Sequence, residues 1–252
     1  MVATPHFDSK NTIHLIEIVF FETYSILLTD LTLHTMSNTP HQEEVKETPN
    51  ISHAYWHHLL TKGKRPESVY AFAYELGFDE SEFYQHAASF EALEASYWAS
   101  LVEETIEVLH SDEDYAEYEA EQKFLAFFFT FFTHIQSNRS RLTQFFPRLG
   151  CMKTLKPMRA AFVEYAKGVI AQGISEGSIA DRKKLSEKYP ELIFEQLRGL
   201  IEFHRKDESE GFQDTDAFIE KSVRFGSDMA RSGSLDSAFD LGRFLLRRFT
   251  LK

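Results

Sequence analysis

The sequence predicts an all-α protein. From Ser52 onward, apolar residues recur at the spacing of one helix face, and no alternating run of polar and apolar residues indicates a strand. Residues that break helices are few, with 11 glycines and 7 prolines in 252 residues, whereas 24 phenylalanines are available to fill a core. A chain of this length buries a core as one large domain or two small ones without disulfides or metals.

The composition excludes several classes of protein. Cys151 is the single cysteine, so an internal disulfide and a multi-cysteine metal site are both excluded, and a reducing, cytoplasmic location is expected. The formal net charge of -12 argues against a general polyanion binder. Residues 51–100 carry three Lys or Arg against seven Asp or Glu. Any contact with nucleic acid must therefore depend on a few well-placed cations and helix N-termini.

Residues 1–50 are predicted to be an extension, disordered or loosely helical. Their most apolar stretch, residues 12–33, contains three acidic residues that are costly at the centre of a bilayer, and only Lys10 precedes it as a cation. We therefore expect neither a spanning helix nor a secretory signal. Met36 opens a polar run typical of a chain start, so whether residues 1–35 take part in the fold stays open.

Three short helices are predicted in the next segment. Ser52 caps the first, which ends at Gly63. Pro66 starts the second, which ends at Gly77, and Asp79 caps the third. Three such helices, with a glycine turn between the second and the third, indicate a helix-turn-helix module.

The rest of the chain is predicted to form a larger helical domain. A long helix begins near Phe90, with leucines on one side and glutamates on the other. Residues 124–132 are apolar almost all round, and such a helix must be enclosed on every side. Further amphipathic helices are predicted at about 155–174, 184–206, 212–232 and 235–250.

A set of residues in the module stands at the spacing of a known motif. The set comprises Ser68-Val69, Ala73, Gly77, Phe83-Tyr84-Gln85-His86, Ser89 and Glu91-Ala92-Leu93. It resembles the helix-turn-helix of the TetR family of bacterial transcriptional regulators. Two positions depart from the family pattern: Ala87 replaces an aromatic residue, and Phe90 replaces a lysine that contacts a phosphate in the family.

The resemblance implies a division of the chain and a role for each part. Residues 51–95 are the DNA-binding module, and residues 96–252 are the C-terminal ligand-binding and dimerisation domain. The expected contacts with a double-stranded DNA operator are Lys62, Lys64, Arg65, Ser68, Tyr84, Gln85 and His86. Asp79, Glu80 and Glu82 lie where the third helix would meet the duplex. They either cap that helix or disfavour DNA.

Two surfaces of the C-terminal domain are implied in the same way. The phenylalanine-rich run is either plain core or the wall of a cavity for a hydrophobic small molecule or lipid, lined by Tyr97, Trp98, Phe124, Phe127, Phe128, Phe131 and His134. Two stripes rich in small residues predict a homodimer interface, with intramolecular packing as the alternative. They comprise Ile219, Val223, Gly226, Ala230, Ala238, Gly242, Leu245 and Phe249.

No catalytic or metal site is predicted. His53 and His57 are four residues apart, but no third ligand follows at usable spacing. We therefore expect no cofactor and no enzyme activity. The sequence predicts a TetR-like regulator that binds operator DNA as a dimer and responds to a hydrophobic small molecule. The alternatives are a lipid-binding or partner-binding accessory protein that has lost DNA binding, and a helical enzyme whose site the sequence does not reveal.

Overall fold

The computed structural model describes residues 50–148 and 152–231 of the chain. Within these ranges the secondary structure is helical without strands, which confirms the all-α prediction. The predicted extension before residue 50 and the predicted interface residues Ala238, Gly242, Leu245 and Phe249 lie outside the described residues.

The predicted module contains three helices with defined caps. These are α1 (Ile51–Lys62), α2 (Val69–Leu76) and α3 (Glu80–His86). Asn50, and not Ser52, caps α1 by accepting a hydrogen bond from a backbone N–H. The second helix begins after Ser68, whose hydroxyl accepts a hydrogen bond from the backbone N–H of Ala71, rather than at Pro66. Pro66 lies in the connection before this cap.

The turn between α2 and α3 depends on a glycine. Gly77 ends α2 with φ of 73°, a left-handed conformation that other residues rarely adopt. Asp79 then caps α3 and forms a capping box with Glu82, so the capping interpretation of these two acidic residues is confirmed. The helix-turn-helix geometry that the sequence indicated is therefore present.

The remaining helices form the larger part of the described chain. They are α4 (Phe90–His110), α5 (Ala120–Gln136), α6 (Arg139–Phe145), α7 (Met152–Ser175), α8 (Tyr189–His204) and α9 (Gln213–Arg231). Short 3-10 helices at Glu113–Glu117, Lys183–Lys188 and Glu210–Phe212 connect some of them. α4 runs through the predicted domain boundary between residues 95 and 96, and it packs most extensively against α7.

The phenylalanine-rich helix α5 is enclosed by its neighbours. It contacts α4, α6, α7 and α9, and no residue from 121 to 134 is exposed. Phe127 stacks on Tyr165, with 4.9 Å between ring centres, and meets Phe162 edge-on at 5.0 Å. The all-round apolar pattern therefore predicted enclosure correctly.

None of the helices in the described ranges is long and apolar enough to cross a membrane. One contiguous hydrophobic core connects the module to α9.

A buried polar cluster joins the end of α8 to the start of α9. His204 is 1% exposed and lies between the rings of Phe132 and Phe212. Its Nδ1 is 3.2 Å from the hydroxyl of Thr215, which donates to the buried carboxylate of Asp207. The backbone N–H of Thr215 donates to the same carboxylate oxygen, so Asp207 fixes the first turn of α9.

This cluster makes stability depend on pH. Burial lowers the pKa of His204 from 6.5 to about 4, so on acidification the unfolded chain binds the proton first. The contribution of neutral His204 to the free energy of unfolding is therefore fully present above pH 6.5. It is lost as the pH falls toward 4, by up to about 3 kcal/mol. His204→Gln has no imidazole to titrate. We therefore expect its free energy of unfolding to change less between pH 6.5 and pH 4 than that of the wild type. Urea denaturation at a series of pH values measures this, and equal slopes for both proteins would contradict it.

Candidate functional site

An apolar groove lies between α5, α8 and α9. Its volume is about 410 Å³. Phe124 of α5 and Ile193 of α8 form part of its wall, and Val223, Met229 and Ala230 of α9 form the other side. Ligand pockets of this size are typically lined by apolar groups with a few polar ones. We refer to this feature as the groove.

The polar groups around the groove already have partners. Gln196 donates to the hydroxyl of Ser222 at 3.0 Å. The guanidinium of Arg231 lies 3.2 Å from a carboxylate oxygen of Glu119 and 3.5 Å from one of Glu121. The cation at the rim is therefore offset by two carboxylates, so it is not free to bind an anionic ligand. An uncharged apolar molecule suits the groove better than an ion.

The structure places one of the seven predicted pocket residues in this groove, namely Phe124. Phe127, Phe128 and Phe131 do not line it and are at most 1% exposed, which is what the plain-core alternative expects. His134 also lies elsewhere, with its Nδ1 3.5 Å from the hydroxyl of Thr105. The sequence showed that α5 is apolar all round but gave no sign of which side faces a space.

The other two predicted pocket residues, Tyr97 and Trp98, lie where the module meets the larger domain. Trp98 is 1% exposed and Tyr97 is half-buried, and both rings contact Trp56 of α1. The guanidinium of Arg141 lies over the Tyr97 ring, 5.0 Å from its centre. These residues therefore form the joint between α1, α4 and α6.

The first predicted dimer stripe divides between two other locations. Ile219 is 0% exposed and Val223 is 5% exposed within a single chain, so neither is available to a second subunit. Their burial favours the intramolecular alternative for both residues. Gly226 and Ala230 instead line the groove.

A face of α8 and α9 that adjoins the groove carries exposed apolar side chains. We call it the α8/α9 face, and its members recur every three or four residues: Leu192, Gln196, Gly199 and Phe203 on α8, and Phe218, Ser222 and Phe225 on α9. Phe203 packs on Phe218, with 4.9 Å between ring centres, and both remain more than a third exposed. Leu192 is 58% exposed and Phe225 is 66% exposed. Such a surface on two adjacent helices is typical of an interaction site.

The predicted DNA contacts include one cation that is already paired. Arg65 donates to both carboxylate oxygens of Glu94 at 2.8 Å, and it also pairs with Glu91. Glu94 in turn accepts a hydrogen bond of 2.6 Å from the buried hydroxyl of Tyr55. This network ties the α1–α2 connection to α4. Arg65 therefore serves the fold, and its charge is offset before any phosphate arrives.

The other predicted contacts are exposed. Lys62 and Lys64 lie at the end of α1 and just after it, and Gln85 and His86 lie at the end of α3. Tyr84, which is 52% exposed, donates to Glu80 at 3.2 Å. Ser68 is engaged as the cap of α2. The exposed tip of α3 therefore presents polar groups beside carboxylates.

Phe90 has a structural role that the motif comparison missed. It is 8% exposed and stacks on Tyr55, with ring planes 7° apart and centres 4.9 Å apart. It also meets Phe83 of α3 edge-on. The residue standing at the lysine position of the family motif thus belongs to the core of the module.

In the part of the chain that the structure describes, no group of three His, Cys, Asp or Glu side chains is arranged to hold a metal ion. His53 and His57 are both exposed on α1.

Comparisons with known proteins agree with this architecture. Residues 123–245 match the family model described as the tetracyclin repressor-like, C-terminal domain. The match covers just under half of the chain and lies in the larger helical domain, outside the module whose residues resemble the TetR helix-turn-helix. No curated relative matches its sequence.

A solved structure shares the fold. It is a protein with unknown function from Rhodococcus sp. RHA1, 12% identical, with a TM-score of 0.50. The match covers 75% of this chain and 100% of that chain. At this identity the likeness concerns the fold alone.

Proposed function

We propose that this TetR-like protein binds an uncharged apolar small molecule in the groove. The observation that carries the proposal is an apolar space of about 410 Å³ whose rim cation, Arg231, is already paired. Binding is driven by removing apolar surface from water, at about 25 cal/mol per Å². A lipid-like molecule or an aromatic hydrocarbon has the required chemistry.

We further propose that the protein works as a homodimer through the α8/α9 face. Two copies of a pair of adjacent helices form a four-helix interface about a twofold axis. Gly199 has no neighbouring atom within 4 Å of where a Cβ would be, which leaves room for close approach of a partner helix. Four residues belong both to this face and to the lining of the groove: Leu192, Gln196, Ser222 and Phe225. A ligand in the groove therefore acts on the side chains that set the packing of the dimer.

The geometry supports a partner-binding role for the module better than operator binding. Arg65 is paired with two glutamates, and Asp79 and Glu80 lie at the start of α3. Among the predicted contacts, Lys62 and Lys64 are then the cations that form no ion pair with the described residues. Phosphate contacts supply most of the affinity for DNA, so few free cations mean weak binding. Operator binding remains the second candidate, because the helix-turn-helix geometry and the exposed end of α3 favour it.

The groove is tested with a neutral fluorescent probe, N-phenyl-1-naphthylamine. We expect saturable binding of one probe per chain. Met229→Glu should weaken it by at least about tenfold, because a carboxylate would be desolvated beside the apolar probe. Met229→Leu, a matched control of similar volume, should stay within about twofold of wild type. Equal affinities for the two variants, or no saturable binding by the wild type, would sink the groove proposal.

The dimer is tested at Phe218. We expect Phe218→Glu to shift the mass measured by light scattering from dimer to monomer, because four-helix packing would bury the new carboxylate near its symmetry mate. Tyr74→Glu is the matched control, since Tyr74 is 79% exposed on α2, outside the α8/α9 face. A monomeric wild type, or a Phe218→Glu protein that stays dimeric, contradicts the proposed interface.

The two roles of the module are separated by a gel shift at low salt with pooled duplex fragments. We expect no retardation at micromolar protein while the dimer remains intact. The opposite result is retardation by the wild type that is weaker, and less dependent on salt, in Lys62→Gln and in Lys64→Gln. That result would establish operator or general duplex binding.

A further inference from the structure

Buried nitrogen atoms without hydrogen-bond partners gather at the joint between α1, α4 and α6. In the described part of the chain such atoms are the indole nitrogens of Trp56 and Trp98, Nε of Arg141, and Nε2 of His204. The first three belong to one cluster. Buried N–H groups are nearly always paired in proteins, so three unpaired donors in one place indicate an acceptor that the chain does not supply.

The cluster is compact and aromatic. The Arg141 guanidinium lies 5.4 Å from the centre of the Trp56 ring and 5.0 Å from that of Tyr97. The two indole rings are 5.7 Å apart. Trp98 also packs against Phe146, with ring centres 5.1 Å apart. The walls are therefore mostly apolar, and the polar groups of this joint are the three nitrogen donors and the hydroxyl of Tyr97.

Two other arginines of this chain show what normally fills the Nε edge of a guanidinium. Arg65 donates through Nε and Nη2 to the two oxygens of Glu94, each at 2.8 Å. Arg159 donates through the same two nitrogens to Glu191, at 2.9 and 2.6 Å. In both cases the occupant of that edge is a carboxylate held by two parallel hydrogen bonds.

Arg141 lacks such a partner among the described residues. It forms no ion pair within 4 Å there, although the chain as a whole carries 39 acidic residues against 27 basic ones. Its neighbour is instead the hydroxyl of Tyr97. Burial raises the pKa of Tyr97, whereas a hydrogen bond from Arg141 and the charge of Arg141 lower it and the charge of Glu104 raises it. A half-buried guanidinium without a carboxylate, in so acidic a protein, is suited to an external anion.

We propose that Arg141 binds the carboxylate of a small aliphatic acid at this joint, with the indole N–H groups of Trp56 and Trp98 as additional donors. The aromatic walls favour an apolar body attached to the carboxylate. The site is separate from the groove and does not depend on it. Because it joins α1 of the module to α4 and α6, its occupation would set how firmly the module is held.

The two tryptophans of the chain are Trp56 and Trp98, so intrinsic tryptophan fluorescence reports on this joint alone. Sodium acetate and sodium octanoate are titrated at constant ionic strength, with sodium chloride and uncharged octanamide as controls. We expect a saturable change with both carboxylates, tighter for octanoate, and none with chloride or octanamide.

Variants assign the binding to Arg141. We expect Arg141→Gln to weaken carboxylate binding by about tenfold or more, because a hydrogen-bonded ion pair is lost. Arg141→Lys keeps the charge but not the two-donor edge, and it should also weaken binding. Arg224→Gln, which removes an exposed arginine of α9, is the matched control and should bind as wild type does. Circular dichroism verifies that each variant is folded.

A second measurement uses heat. Octanoate should raise the melting temperature of the wild type and of Arg224→Gln but not that of Arg141→Gln, because a ligand stabilises the state that binds it. A wild type without a saturable response means that water alone satisfies the three donors, and the proposal fails. It fails equally if Arg141→Gln binds normally. If Met229→Glu abolishes the octanoate response, the acid occupies the groove and the Arg141 site is wrong.

Discussion

The rest of the structure depends on the need to enclose helix α5. Its residues are apolar on nearly every side, so leaving any face in water would forfeit the free energy of burying a phenylalanine ring, about 1.5 to 3 kcal/mol each. Helices α4, α6, α7 and α9 supply the enclosure. Phe127, Phe128 and Phe131 consequently fill the centre, whereas Phe124 lines the groove together with residues of α8 and α9.

Helix α9 serves two surfaces because its two sides differ in chemistry. Ile219 and Val223 anchor it in the core of its own chain, and the polar cluster at Asp207 fixes its first turn. With the helix held in this way, Phe218 and Phe225 are left exposed on the other side. The groove and the proposed dimer face therefore adjoin, and a ligand that moves α9 would alter both. In the proposed dimer, this arrangement is the route by which a ligand acts on subunit packing.

Two arginines illustrate how pairing decides function. Arg65 is matched by Glu94 and Glu91, so a residue that sequence comparison assigns to DNA is used to tie the module to α4. Arg141 has the aromatic setting of a buried guanidinium without the matching carboxylate among the described residues. An arginine is thus structural at position 65 and a candidate ligand-binding residue at position 141. The difference lies in the neighbouring side chains, which only the fold brings together.

The sequence by itself determined the features that depend on local periodicity and local hydrogen bonding. The all-α class, the enclosure of α5, the turn at Gly77 and the capping role of Asp79 follow from residues within a few positions of one another, and the structure confirms each. The tertiary structure decided which side of an apolar helix faces a space and which cation is neutralised. Ile219 and Val223 were assigned to a second subunit because a stripe of apolar residues does not reveal which helix covers it. Likewise, the pairing of Arg65 with Glu94 joins residues far apart in sequence, and helical spacing carries no information about such contacts.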